Sequence, residues 1–391
     1  MASTTGRHSV VTSAPSRCCT VSAPTENHTV GRKLAPMPRR LVLHIGHYKT
    51  GTTALQEQLS VLHADLAQRG VLYPAAGRPV RGNPSHSGLS FQELHRAQSH
   101  LPYWYRTSPE FADYQSRTAE PAREALAAEI AVSAADTVIL SSEEFIRYGS
   151  DQGVPAEQTK DMLRALPFDH LTVVCYVRRP DRYIESWYNQ LVKMAIPIAR
   201  LSPTLTREPQ PGHRYYCNEH TDVDRMIEYW ASQVGCDELV VRDYDDLHNG
   251  NILDDFSAAV GLPSVDASAV PPVRGNPRID NNFVEYARVW ALFRPREPNA
   301  ELIGLLERMT QERHLPRRSE VYVLSPRARR CLHTYASPVN ARLGKLVGLG
   351  EGYFEDLDEM LTVPEGARSD VEAFRFWAPY IDVAVKASNI A

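Results

Sequence analysis

Residues 41–60 read LVLHIGHYKTGTTALQEQLS: an apolar run, a glycine-bearing loop, and then leucines at helical spacing. A short apolar run is typical of a buried parallel strand. A glycine-rich turn between such a strand and a helix exposes backbone N–H groups that can bind phosphate. The stretch therefore predicts a strand, a phosphate-binding loop and a helix, in that order.

The loop departs at one position from the pattern that binds nucleoside triphosphates. That pattern is Gly, four residues, Gly, Lys, and then Ser or Thr. Gly46 and Gly51 have this spacing, and Thr53 supplies the hydroxyl. Thr52 stands where the lysine is expected, and a lysine occurs three residues earlier, at Lys49. No apolar strand ends in an Asp suited to the magnesium that a triphosphate carries, so we expect an anion site without a metal.

The alternation of strand and helix recurs along the chain. Apolar runs predict further strands at residues 137–140, 171–177 and 239–241, and apolar residues at helical spacing lie between these runs. Such alternation predicts an α/β fold, here a P-loop-like three-layer α/β/α arrangement with a central parallel sheet. In such sheets, ligands bind beyond the carboxyl ends of the strands, where the glycine-bearing loop begins.

Composition divides the chain into two regions. Residues 1–38 are rich in Ser, Thr, Pro and Ala and lack apolar periodicity, which predicts a disordered tail. No internal repeat or clean linker follows residue 39. We therefore expect one elaborated domain over residues 39–391.

Bulk properties exclude several classes of protein. A formal net charge of -4 over 391 residues argues against a nucleic-acid partner. No window approaches 18 apolar residues, and the N-terminus lacks the apolar core of a secretion signal, so we expect no membrane span and a cytoplasmic location. The six cysteines form no C-x-x-C pair and are interpreted as reduced thiols, not zinc ligands. The sequence gives no indication of oligomeric state.

Two motifs resemble one known family. HYKTGTTALQ, residues 47–56, resembles the 5′-phosphosulfate-binding loop of sulfotransferases that use 3′-phosphoadenosine-5′-phosphosulfate (PAPS). YVRRPDRYIESWYNQ, residues 176–190, resembles the 3′-phosphate-binding segment of the same family, with Arg178 and Ser186 at its Arg and Ser positions. Weaker likeness extends to about residue 360 and is to bacterial sulfotransferases related to the carbohydrate-modifying branch.

The resemblance implies that PAPS is a co-substrate, with 3′-phosphoadenosine-5′-phosphate (PAP) as product and no metal. Arg178 and Ser186 would bind the 3′-phosphate. We expect the Ser186 hydroxyl to be accessible, because it lies on the helix side opposite an apolar stripe formed by Ile184, Trp187, Tyr188 and Leu191. Lys49 would act catalytically, because a cation stabilises the bridging oxygen as its bond to sulfur breaks. The 5′-phosphosulfate would be bound by Lys49, Thr50, Gly51, Thr52 and Thr53.

The general base is open among four candidates. In the family, a His or Glu at the end of the strand between the two motifs commonly supplies the base. Glu143 holds that place in SSEEF, and Glu144 is the neighbouring alternative. His47 and His86 remain further candidates, although a lone histidine is more often structural.

The acceptor is indicated only as a class. The resemblance implies a hydroxyl or amine of a carbohydrate or small molecule, without separating these from lipids or peptides. Aromatic residues in irregular segments are candidate acceptor contacts: Tyr103, Trp104, Tyr105, Tyr215 and Tyr216. Ala54 stands where some cytosolic members have an aromatic residue that stacks on adenine.

Two alternatives to a sulfotransferase remain, a P-loop kinase for a small molecule and an inactive nucleotide-binding protein.

Overall fold

A computed structural model describes residues 9–12, 39–79, 83–99, 101, 105–106, 109–116, 119–195, 222–247, 250–263, 279–293, 300–311, 321–363 and 367–387. The strands are β1 Ser9–Thr12, β2 Arg40–His44, β3 Val71–Leu72, β4 Thr137–Ser141, β5 His170–Val177, β6 Glu238–Asp243, β7 Val321–Tyr322 and β8 Arg368–Ser369. The helices are α1 Thr52–Val61, α2 His63–Gln68, α3 Ser87–Arg96, α4 Ala112–Ser116, α5 Ala119–Val132, α6 Ala156–Arg164, α7 Pro180–Lys193, α8 Val223–Glu228, α9 Ile252–Ala259, α10 Asn281–Phe293, α11 Ala300–Gln311, α12 Pro326–Leu346 and α13 Asp370–Ala387. Short 3₁₀-helices cover Pro109–Phe111, Glu143–Gly149 and Leu357–Leu361, and a π-helix covers Tyr229–Gly235.

The central sheet has the strand order β1-β6-β5-β2-β4-β3. Strands β2 to β6 are parallel to their neighbours, and β1 is antiparallel to β6. Both faces are buried: Val42 packs with α1, α2 and α9 on one face, while Leu41 and Leu43 point to the other and are equally buried. The predicted α/β fold, a central parallel sheet flanked by helices, is confirmed.

The order of the strands places a switch point at β2. From β2 the chain moves to one side of the sheet for β3 and β4, and to the other side for β5 and β6. Ligands of open α/β sheets bind in the crevice that such a reversal leaves beyond the carboxyl ends of the strands. The glycine-bearing loop leaves β2 at this place.

Part of the predicted tail has regular structure. Residues 9–12 form β1 and pair with residues 238–241 of β6, whereas the rest of the tail lies outside the described residues. The segment reads Ser-Val-Val-Thr, and β-branched residues favour a strand where a sheet edge offers unpaired N–H and C=O groups. For these four residues the prediction of disorder is wrong.

The chain divides into two compact units. The first contains Met1–His47, Gly51–Val177 and Arg225–Pro271, and the second contains Tyr48–Thr50, Arg178–Asp224 and Pro272–Ala391. The first unit holds the central sheet. The described residues of the second are mainly helical, with the short pair β7 and β8, and α7, α10, α11 and α13 pack together in an apolar core. A single domain over residues 39–391 stays a prediction.

No helix in the described residues combines the length and apolar character needed to cross a bilayer.

Candidate functional site

In the first unit, the loop after β2 is fixed at its start. The Ile45 N–H donates to the Val174 carbonyl of β5 (2.9 Å), and the Ile45 carbonyl accepts from the Ile146 N–H (3.2 Å). Gly46 follows with φ +65°, and a Cβ there would lie 2.7 Å from the Glu143 Cα. Since backbone cannot yield as a flexible side chain does, only glycine lets the loop pass Glu143 so closely.

The end of the loop forms an N-terminus suited to an anion. Gly51 has φ +77° and precedes α1, and none of the described side chains caps that helix. The first N–H groups of a helix lack intrahelical partners, and the helix dipole favours negative charge beside them. Thr52 is buried at this end, whereas Thr53 is exposed. A Cβ on Gly51 would lie 2.6 Å from the Tyr244 ring, so an aromatic side chain closes one side of the turn.

A chain of hydrogen bonds holds Glu143. The Gln56 Nε2 of α1 donates to the Glu143 Oε2 (3.0 Å) and to the Ser141 Oγ (3.2 Å). The same Ser141 Oγ lies 2.7 Å from the His44 Nδ1. Gln56, Ser141 and His44 are buried, so β2, β4 and α1 together fix the carboxylate, which is half-buried.

The other candidate bases have different surroundings. Glu144 is buried and forms an ion pair with Arg147 at 3.1 Å. His86 is fully buried: its Nε2 donates to the Pro74 carbonyl (3.1 Å), and its Nδ1 accepts from the Ser141 N–H (3.1 Å). His47 is also buried, 3% exposed. Of the four candidates, Glu143 is the one whose side chain is part-exposed.

Burial acts on two histidines of this region. Desolvation lowers the pKa of His44 from 6.5 to about 3. It lowers the pKa of His86 to about 3 as well, with a smaller contribution from the charge of Arg78. Both imidazoles are therefore neutral at neutral pH and serve as hydrogen-bonding groups of the folded chain.

In the second unit, Lys49 contacts the helix of the second motif. Its Nζ donates to the Gln190 Oε1 at 3.1 Å, and the neighbouring Tyr48 ring lies 5.2 Å from that of Trp187. Gln190 is four residues after Ser186, so the two side chains share one face of α7. Lys49 has φ +65°, an uncommon conformation for a residue with a side chain. Such strain persists where surrounding contacts impose it, and it clusters at functional sites.

Ser186 is placed differently from the prediction. It is 8% exposed and belongs to the buried set of α7, together with Tyr183 and Asn189. Ile184 and Trp187, which were expected to form the buried stripe, are only half-buried. Much of α7 is buried in the second unit, so the face of the helix that carries the Ser186 hydroxyl is not open to solvent. The prediction of an accessible Ser186 hydroxyl is wrong, while its role as a phosphate ligand stays a prediction.

The two arginines after β5 have distinct environments. Arg178 directly follows β5 and is half-buried. Arg179 is buried in ion pairs with Asp181 (2.8 Å), Asp356 (2.6 Å) and Glu359 (3.0 Å). Arg329 of α12 extends this network by pairing with Asp181 (3.2 Å) and Glu185 (2.8 Å). Carboxylates thus fix Arg179 and the first turn of α7, next to Arg178.

Of the aromatic residues considered for the acceptor, only Tyr105 is described. Its ring is buried and stacks on Phe91, with centroids 4.5 Å apart. It is a packing residue, so its assignment as an acceptor contact is wrong. Tyr103, Trp104, Tyr215 and Tyr216 lie outside the described residues.

Each unit brings together part of the predicted set. The first places Gly46 against Glu143, with Gly51, Thr52, Thr53 and His47 on the same loop. The second links Lys49 to the helix of Ser186, with Thr50 and Arg178 in the same unit.

Three residues were missed from the sequence: Gln56, Gln190 and Tyr244. Tyr244 follows β6, so the rule that singled out Arg178 at a strand end also applies to it. Gln56 and Gln190 lie four residues after Thr52 and Ser186, which is the spacing of side chains on one helix face.

In the described ranges, no group of three or more His, Cys, Asp and Glu side chains could hold a metal ion.

No protein-family model matches the chain, and no curated protein matches its sequence. Solved structures of sulfotransferases are similar to it. A sulfotransferase from Alicyclobacillus acidocaldarius has 15% identity over 80% of this chain and 96% of its own, with a TM-score of 0.43.

Two others are sulfotransferase domains. The domain from the Synechococcus PCC 7002 olefin synthase has 16% identity over 79% of this chain and 98% of its own, with a TM-score of 0.34. The domain from the curacin biosynthetic pathway has 13% identity over 77% of this chain and 98% of its own, with a TM-score of 0.36. The likeness is loose at these values.

Proposed function

We propose that the protein is a sulfotransferase that moves the sulfuryl group of PAPS to a hydroxyl or amine of a carbohydrate or small-molecule acceptor. The observation that carries the proposal is the bond from the Lys49 Nζ to Gln190, one helical turn after Ser186. The cation of the loop thus lies on the helix that bears the predicted 3′-phosphate serine. This pairing suits a donor with a 5′-phosphosulfate and a 3′-phosphate.

The donor would be bound by groups of two kinds. Backbone N–H groups of Gly51, Thr52 and Thr53 and the Thr50 hydroxyl would receive the oxygens of the 5′-phosphosulfate. Arg178 and Ser186 would bind the 3′-phosphate, with Arg178 as a planar donor that suits phosphate. Tyr244, whose ring lies over Gly51, offers the aromatic surface that Ala54 does not.

The transfer step is an in-line displacement. The bond between sulfur and the bridging phosphate oxygen breaks, and a bond forms between sulfur and the acceptor oxygen. Lys49 would stabilise the charge that grows on the bridging oxygen, which leaves as part of PAP. Glu143 would take the acceptor proton.

Three features support Glu143 as the base. Its backbone lies close to Gly46 of the loop, its Oε2 accepts a hydrogen bond from Gln56, and its side chain is partly exposed. Because Gln56 donates to Oε2, the proton would go to Oε1. The Arg147 ion pair of Glu144 and the two backbone bonds of His86 would have to break before either acted as a base.

The alternatives make different demands. A P-loop kinase needs a cation at the position of Thr52 and a magnesium ligand after a second strand. An inactive binding protein needs neither Lys49 nor Glu143. We expect the enzyme to be cytoplasmic and to need no metal.

Transfer from labelled PAPS to a panel of carbohydrate, phenolic and amine acceptors tests the proposal. We expect one acceptor class to yield sulfated product together with PAP, in the presence of a chelator. The product should be lost in Lys49→Ala and kept in Lys160→Ala, the control, since Lys160 is a half-buried lysine of α6 that pairs with Glu157. Phosphoryl transfer from ATP–Mg in place of sulfuryl transfer would overturn the proposal.

A further inference from the structure

Helix α13 has two apolar faces. Its inner face, Ala373, Ile381 and Val385, is buried against the core of the second unit. On the outer face Phe376 is 47% exposed, Tyr380 59% and Val383 68%. The Phe376 and Tyr380 rings lie 5.9 Å apart, so these residues form a contiguous patch. Exposed contiguous apolar patches with a polar rim mark interaction surfaces more often than isolated exposed residues do.

The outer face follows a heptad-like spacing. Glu372, Phe376, Pro379, Val383 and Lys386 are separated alternately by four and three residues, which places them in one line along the helix. The apolar residues occupy the middle of this line and the charged residues its two ends. The line runs from Glu372 to Lys386 within the helix Asp370–Ala387, so it is about 21 Å long at 1.5 Å per residue.

The charges on this face are self-complementary. If a second α13 packs antiparallel with the two-fold axis near Pro379, Glu372 of one copy faces Lys386 of the other. On one flank of the same face, Arg375 then faces Asp382. Each pair occurs twice, as an isologous interface requires.

We propose that the outer face of α13 is the interface of a homodimer in which two copies of this helix pack antiparallel. Phe376, Tyr380 and Val383 form its apolar centre. A single helix pair buries an area at the low end of specific interfaces, so the dimer is a weak one, with a Kd on the order of 10 µM.

Sedimentation velocity of the full chain over a concentration series tests the interface. We expect a reversible monomer–dimer equilibrium. Val383→Glu raises the Kd at least about tenfold because it places charge in the apolar centre. Val132→Glu is the matched control, since Val132 is an exposed valine of the first unit (86%) and its substitution leaves the Kd unchanged.

Charge reversal tests the antiparallel register. Lys386→Glu faces Glu372 of the other copy, and we expect the Kd to rise about tenfold. The double variant Glu372→Lys, Lys386→Glu restores the pairs and returns the Kd toward the parent value. Glu372 also accepts from the Ser369 N–H (2.8 Å), so the thermal stability of each variant is measured alongside.

A chain that stays monomeric at all concentrations, or a dimer that Val383→Glu leaves intact, overturns the proposal. A double variant that is folded but no longer dimerises overturns the antiparallel register.

Discussion

The junctions after β2 and after β5 carry the two predicted phosphate segments, and they are built differently. After β2 the chain turns on Gly46 and Gly51, both at positive φ, with backbone and ring atoms where a Cβ would stand. After β5 the turn is fixed by ion pairs, in which Arg179 is held by Asp181 and Asp356. The first junction therefore requires glycines, which have no side chain to clash. The second requires the charged side chains that form these ion pairs. Substitutions should act through backbone shape at the first and through electrostatics at the second.

The largest effect is expected at the carboxylate beside the first junction. Glu143→Gln keeps the size of the side chain but removes the base, and we expect kcat to fall about 10³-fold, within the range typical of general bases. Sulfuryl transfer under single-turnover conditions is the measurement. Glu144→Gln is the neighbouring control and should affect thermal stability more than kcat, because its ion pair with Arg147 is buried. Full activity in Glu143→Gln would contradict the assignment of Glu143 as the general base.

The next largest effect is expected at the cation of the loop. Lys49→Ala should lower kcat at least ~10²-fold, as is typical for the loss of one partner of a transition-state charge. Affinity for PAP, measured by calorimetry, should fall much less, since the bridging oxygen is most charged as the bond breaks. A variant that loses affinity but keeps kcat would show that Lys49 binds the ground state only.

At the second junction, Arg178→Ala should weaken PAP binding by about 10-fold to 100-fold, the range expected for a hydrogen bond to a charged group. Adenosine 5′-phosphosulfate, which lacks the 3′-phosphate, should bind parent and variant equally. Raising the salt concentration should reduce the difference for PAP. Equal losses for both ligands would remove the 3′-phosphate role from Arg178.

Gly51→Ala tests the first junction through shape alone. The new Cβ would meet the Tyr244 ring at 2.6 Å, and we expect PAP affinity to fall about tenfold with little dependence on salt. Gly261→Ala is the matched control: Gly261 also has positive φ, at +64°, but nothing described lies within 4 Å of its Cβ position. It should lose stability by about 1 kcal/mol and leave affinity unchanged. Equal affinity losses in both variants would contradict the role of close approach.

The smallest effect concerns pH. His44 and His86 have folded-state pKa values lowered from 6.5 to about 3, so the unfolded chain binds more protons between these values. Stability is therefore complete above pH 6.5 and falls as the pH drops toward 3. At pH 6 the expected loss is about 0.8 kcal/mol per histidine. Urea unfolding between pH 7.5 and 5 measures it.

His44→Asn should flatten this pH dependence, and His63→Asn, at an exposed position of α2, should not. An unchanged slope in His44→Asn would show that the buried imidazole is not linked to folding.

The sequence predicted those features that depend on neighbouring residues in the chain. Apolar runs located β2, β4, β5 and β6 within one or two residues, because a strand buried on both faces is apolar throughout. Pro180 begins α7, and proline is favoured in the first turn of a helix. β1 was missed, because pairing with an edge strand far along the chain leaves little local signal.

The features that failed depend on tertiary packing. Ser186 was expected on an accessible face, but α7 is covered on more than one side in the second unit, and helical periodicity cannot indicate that. The bond between Lys49 and Gln190 joins residues 141 positions apart, and that between Gln56 and Glu143 joins residues 87 apart. Loop and motif predicted the candidate residues, while their supporting partners became visible only in the fold.

Calorimetric titration of the full chain with PAP and, separately, with ATP–Mg tests the central claim most directly. The account predicts tight, metal-independent binding of PAP, weakened in Arg178→Ala and in Gly51→Ala, and weak binding of ATP–Mg. A preference for ATP–Mg over PAP would contradict it.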